Sequence, residues 1–245
     1  MIDALELLAT MDEAGVSQAV MCAWPWRDPA HCREHNDYLA AASRESAGRL
    51  PWLGIVNPAE PNAAVEVERC LALGASGIGE LNADAQGFPL EDPSSFSDVA
   101  AVLREANRPV MLHASEPLGH RYPGKGTATP ERLLLFVAAH PGLTIVFAHW
   151  GGGLPFYELM PEVAAITANV LYDTAASTYL YRAAVFRAVL DVVGSERVLW
   201  GSDHPVLGMG RFLRRTLREA NLTDDEMQRV LAENAARVYH LPEFA

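Results

Sequence analysis

Lysine is nearly missing from this 245-residue chain: Lys125 is the only one, against eighteen arginines. Basic residues as a whole are outnumbered 19 to 31, which leaves a formal net charge of −12. A surface of that sign repels phosphate backbones, which excludes a nucleic-acid partner. Cysteine is scarce too. Cys22, Cys32 and Cys70 are odd in number and share no Cys-x-x-Cys spacing, which argues against a disulfide framework and a thiolate zinc site. No apolar run approaches the roughly 18 residues of a membrane span. The opening segment, MIDALELLATMDEAG, lacks the basic and small-residue stretches of a signal peptide. These absences lead to the expectation of a soluble cytoplasmic protein with neither membrane nor nucleic-acid partners.

What is present is a hydrophobic half, enough for a sizeable core. No low-complexity tract or linker breaks the chain, so 1–245 reads as one domain. A β-branched apolar run followed by a helical segment recurs seven times. The runs are Val16–Ala23, Leu50–Asn57, Gly77–Leu81, Pro109–His113, Leu143–His149, Asn169–Thr174 and Arg197–Asp203. They are continuously apolar rather than alternating, as in a parallel sheet buried on both faces. Asp3 with Glu6, and Thr223 with Glu226, have capping-box spacing, and Thr129-Pro130 reads as an N-cap with proline at N1. Strand–helix alternation of this kind builds right-handed βαβ units. No glycine-rich phosphate turn follows the first run, which favours a barrel over an open doubly wound sheet.

Spacing sharpens the expectation. The six intervals from Ala23 to Asp203 average 30 residues, so an eight-stranded barrel would need another strand ending upstream of residue 1. We therefore expect a (β/α)8 TIM-like barrel lacking its first strand in this chain, opening with a helix over Asp3–Ala14. An open barrel exposes strand edges, which invite pairing with another chain, so a homo-oligomer is expected.

Four polar residues close the apolar runs: Glu80, His113, His149 and Asp203. In a parallel barrel all carboxyl strand ends meet at one mouth, where active sites sit. One such histidine alone would read as an ordinary polar strand end; four in matching places favour a metal site. Carboxylates and imidazoles suit a divalent cation, zinc first, with manganese or iron as options. Such an ion lowers the pKa of a bound water toward about 7.

The segment Glu116–Thr127 carries His120, Arg121, Tyr122 and Lys125 between glycines. Those side chains could grip the anionic group of a small-molecule substrate, with a solvated basic loop as the plainer reading. Trp24 and Trp26 could wall a pocket or form an oligomer contact. Ser115, Tyr157, Asp173 and His204 flank the mouth without a distinct role. His31 and His35, spaced i and i+4, read as a solvated helix face, and His140 as a partner of a helix dipole. No Gly-x-Ser-x-Gly elbow supports serine chemistry.

Leu112-His113-Ala114-Ser115-Glu116-Pro117, Ala148-His149-Trp150-Gly151-Gly152 and Gly201-Ser202-Asp203-His204-Pro205 resemble the fifth, sixth and eighth strand motifs of the amidohydrolase superfamily. The branch they are most similar to includes decarboxylases and lactone hydrolases, and Glu233-Asn234-Ala235-Ala236-Arg237-Val238-Tyr239 looks like its closing helix. The resemblance implies a (β/α)8 barrel with His113 as metal ligand. It makes His149 a second ligand or a general acid/base, and Asp203 a ligand that takes the proton of attacking water. Two features depart from the family. The His-x-His that normally ends its first strand does not occur here. The carboxylated lysine of some members is excluded, because Lys125 lies far off in a loop; Glu80 instead resembles the strand-end glutamate of TatD-like hydrolases. Three functions follow as expectations. The first is a metal-dependent hydrolase acting on a small carboxylate-bearing substrate, with Asp203 and His149 catalytic. The second is a non-oxidative decarboxylase of the same fold. The third is a catalytically impaired, truncated barrel that binds or self-associates.

Overall fold

The Asp3 side chain accepts the Glu6 amide and the Glu6 carboxylate accepts the Asp3 amide, a reciprocal cap that starts helix α1 (Ala4–Ala14). The computed structural model describes residues 2–241. Further helices are α2 (Pro29–Glu45), α3 (Ala63–Ala72), α4 (Ala83–Gln86), α5 (Ser97–Glu105), α6 (Pro130–Ala139) and α7 (Pro161–Ile166). The remainder are α8 (Ser177–Leu180), α9 (Ala184–Val193), α10 (Met209–Glu219), α11 (Asp224–Gln228) and α12 (Asn234–Tyr239). Between them run β1 (Leu53–Gly54), β2 (Gly77–Leu81), β3 (Val110–Leu112), β4 (Ile145–Phe147), β5 (Val170–Asp173) and β6 (Val198–Leu199). Each pairs in parallel with the next, in sequence order. The architecture is α/β, of the TIM-barrel type.

The first apolar run is reduced to one parallel bridge, Met21 to Trp52, although its amides follow β1 along the Arg49–Leu53 backbone. It borders β1 alone among the described residues, and half a ladder supports less regular pairing. The sheet order ends at β6, and no closing pair or eighth strand exists among the described residues. No helix among them is long and apolar enough to cross a membrane.

The two faces of the sheet bury different partners. Leu53, Met111, Val146, Leu171 and Leu199 form an inner cluster, sealed by Val238 and Tyr239 of α12. Ile78, Val110, Leu112, Ile145, Phe147, Val170, Tyr172 and Val198 face the helices in the larger core. Beneath that core the carboxylate of Glu158 pairs with Arg197 and accepts the Tyr172 hydroxyl. Arg197 also donates to the carbonyls of Val193, Thr167 and Val170. His140 stands at the C-terminal end of α6, as expected, and is buried there edge-on against Phe96 and close to Phe136; burial lowers its pKa, with Arg104 acting the same way. The aromatic cage removes the water that a charged imidazolium needs.

Candidate metal centre

The inward face sets the site. Side chains alternate along a strand, so Met111 pointing inward puts His113 inward, and Leu171 does the same for Asp173. Glu80 breaks the rule. Ile78 and Leu81, three apart, both face the helices, and the register shifts between them. Such an irregularity re-aims the intervening side chain, here turning Glu80 toward the two histidines. It depends on Gly79, whose φ is +146° and where a Cβ would lie 2.6 Å from the Met111 carbonyl oxygen. Gly79→Ala is expected to cost about 1–3 kcal/mol for the backbone conformation alone, read from urea unfolding. An unchanged midpoint would contradict this reading of the bend.

Glu80 Oε1 faces both imidazoles. It lies 2.8 Å from His113 Nδ1 and 3.6 Å from His149 Nε2. The two imidazoles stand edge to face, with centroids 4.9 Å apart. One donor atom from each of Glu80, His113 and His149 falls within 4.8 Å of the others. His113 Nε2 lies 3.3 Å from the Ser115 hydroxyl, which also accepts the Gly126 amide. His149 opens a left-handed turn running through Trp150 to Gly153, with φ of +56° at His149 itself. A Cβ at Gly152 would collide with the Ser115 carbonyl, so only glycine lets the two strand-end turns touch.

Asp203 is also left-handed, with φ of +60°. It stands beside the cluster rather than within it; its charge acts on His149. Of the four residues expected to hold metal, the structure thus draws three together and leaves the fourth at their flank.

The electrostatics are those of a buried ion pair. Burial raises the Glu80 carboxyl, but its hydrogen bond to His113 and the nearby His149 imidazole outweigh burial and hold it well below the usual range. Burial lowers His149, yet the Glu80 carboxylate 3.6 Å away and the charges of Asp173 and Asp203 push it up to about 10. Burial raises Asp203, and it raises Asp173 to about 7 against the pull of His149 and two backbone amides. Cys22, which sequence reasoning gave no role, is exposed, and its thiol lies 3.7 Å from Met111 Sδ.

One carboxylate oxygen and two imidazole nitrogens fit a divalent cation of hard to borderline character. A cation would displace the His149 proton, since a ligand must be deprotonated. Below pH about 10 loading is expected to release that proton, with affinity falling about tenfold per pH unit per proton released. Calorimetry in buffers of differing ionisation enthalpy would show this; identical heats in all buffers would contradict it.

The Glu116–Thr127 loop is tightly braced. Lys125 Nζ donates to the Leu118 and His120 carbonyls at 2.5 and 3.2 Å, so the sole lysine is used within the loop. Tyr122 donates to Glu116, and His120, Tyr122 and Tyr179 form an aromatic triangle. Asp84 ties Thr127 to α4, and Arg121 is exposed. His35 accepts the Trp26 indole N–H at 3.0 Å and His31 packs on the same ring, so neither joins the centre.

Asp173 is the residue whose part was not legible. Its Oδ1 accepts the amides of His149 and Ala175, both at 2.9 Å, and the Ala175 carbonyl lies 3.2 Å from His149 Nδ1. The one trace of it in the sequence is a carboxylate one residue before the end of the Asn169–Thr174 run.

A parallel α/β fold with carboxylate and imidazole donors gathered at its carboxyl strand ends defines the class, a barrel protein with a candidate divalent-metal site. More narrowly, the chain belongs to the amidohydrolase family, whose model matches residues 5–241. Its fold is similar to that of 5-carboxyvanillate decarboxylase from Sphingomonas paucimobilis, at 22% identity and a TM-score of 0.81, over 97% of this chain and 83% of that one. It is also similar to 2,6-dihydroxybenzoate decarboxylase from Rhizobium, at 20% identity and 0.78, over 96% and 87%. A third likeness is to a dihydroxybenzoic acid decarboxylase from Polaromonas sp. JS666 with bound manganese and 2-nitroresorcinol, at 19% and 0.79, over 98% and 86%.

Proposed function

We propose that this chain is a divalent-metal-dependent decarboxylase that removes carbon dioxide non-oxidatively from a small aromatic acid. The convergence of Glu80, His113 and His149 carries the metal requirement. The names of the structurally similar proteins support decarboxylation over hydrolysis, and manganese is the ion to try first. A cation held by these three residues supplies an electrophilic point for the substrate's oxygens. The remaining chemistry falls to the chain. Loss of carbon dioxide leaves an electron pair on carbon, so one proton must be delivered to that carbon. We assign that delivery to Asp203, which stands at the flank of the cluster and whose burial favours the protonated form. His120, Tyr122 and Arg121, on the braced loop, are the residues we assign to substrate binding. Lys125 supports them from within the loop.

Hydrolysis is the second reading. It uses the same cluster, with Asp203 taking a proton from water instead of giving one to carbon. The test is incubation of the manganese-loaded chain with carboxyl-13C hydroxybenzoates, following labelled carbon dioxide. Release that Asp203→Asn abolishes supports the proposal. A loaded chain that releases none across the panel, but cleaves esters or lactones, overturns it in favour of hydrolysis.

A further inference from the structure

We propose that Asp173 is the positioning residue that fixes the coordinating orientation of His149. The inference rests on the metal reading above and adds a residue to which that reading assigns no part.

His149 must present Nε2 to the cluster while its backbone sits in a left-handed conformation that few non-glycine residues adopt. Nothing within the side chain itself enforces this. Two hydrogen bonds do, and both lead to the end of β5. The Asp173 carboxylate accepts the His149 amide at 2.9 Å, which holds the turn closed against β5. The same oxygen accepts the Ala175 amide at 2.9 Å and so holds in place the residue whose carbonyl faces His149 Nδ1 at 3.2 Å. A proton on Nδ1, directed at that carbonyl, leaves Nε2 with its lone pair for the cluster. Asp173 therefore sets the imidazole at two points: backbone directly, ring through Ala175. Outer partners of this kind fix the tautomer and orientation of metal-ligating histidines.

The arrangement is specific in two further respects. Asp173 is buried, so no bulk water competes for its oxygens. Its other oxygen would stand 3.0 Å from a Cβ at Gly201, two residues before Asp203, so the carboxylate is wedged between the ends of β4 and β6. It cannot swing away from His149 without disturbing both.

The experiment compares Mn2+ affinity and amide hydrogen exchange in the wild type, Asp173→Ala and Asp173→Asn. Asparagine keeps a carbonyl oxygen that accepts both amides, whereas alanine keeps none. Asp173→Ala is expected to weaken Mn2+ binding about 10- to 100-fold and to strip protection from the His149 and Ala175 amides. Asp173→Asn is expected to restore both toward the wild-type values, a rescue that loss of fold stability would not track. If the alanine variant does not fold, Asp173→Ser takes its place, with one hydroxyl for two amides and an intermediate loss expected. Wild-type affinity in a folded Asp173→Ala protein, or protection unchanged there, overturns the proposal. A wild-type chain that takes up no Mn2+ overturns the metal reading instead, and the exchange data then report on the Asp173 contacts alone.

Discussion

Glu80→Gln is expected to abolish metal retention, with Mn2+ affinity reduced by at least about 100-fold, more than the loss of an outer-shell partner causes. The substitution keeps the shape of the side chain and removes its charge. Glu80 Oε1 is the atom common to both histidines, so no other residue of the cluster can take over its part. A second effect follows from the same contact. Burial alone lowers the His149 pKa, and it is raised to about 10 only because Glu80 and its fellow carboxylates outweigh burial. Removing the Glu80 charge lets burial count for more, and the His149 pKa falls. Manganese content after dialysis and an NMR titration of the His149 ring check the two halves separately. A glutamine variant that retains stoichiometric manganese would show that Glu80 is not a ligand.

Arg197→Met is expected to destabilise the fold by about 3–5 kcal/mol, because it leaves a buried carboxylate without its partner. The Glu158 side chain is only 2% exposed, so water cannot replace the guanidinium. Arg197 also serves three backbone carbonyls, at Val193, Thr167 and Val170, which lose their donor in the same step. In a domain of this size each kcal/mol shifts the melting temperature by about 2–4 °C. Replacing both members, Arg197→Met with Glu158→Leu, is expected to recover much of the loss, since the cost is that of an isolated charge. Urea denaturation of the single and double variants gives the comparison. A single variant with wild-type stability would mean that the pair is solvated in solution.

The recurrent apolar runs located each of β1 to β6 to within a few residues, because a strand buried on both faces must be apolar throughout. The capping boxes at Asp3 and Thr223 formed as their spacing indicated, since a cap is satisfied within a single turn. Glu80, His113 and His149 were recognisable as polar ends of those runs, and parallel topology alone brings such ends to one mouth. Those are local or strictly topological properties, and the sequence by itself determined them.

Other features depended on contacts between segments distant in the chain. Glu80 faces inward only because Gly79 bends against Met111 of the neighbouring strand. The His140 pKa is lowered because burial, against Phe96 and Phe136, disfavours its charged form, which no periodicity records. Lys125, which by charge alone looks like an anion grip, is occupied by two carbonyls of its own loop. Asp203 carries the expected motif, but it stands outside the tight cluster. Asp173 acquires its part from an amide 24 positions away. Sequence patterning is governed by which face of an element is dry. The placement of a donor atom to within an ångström is governed by packing across elements, and only the tertiary structure decides that.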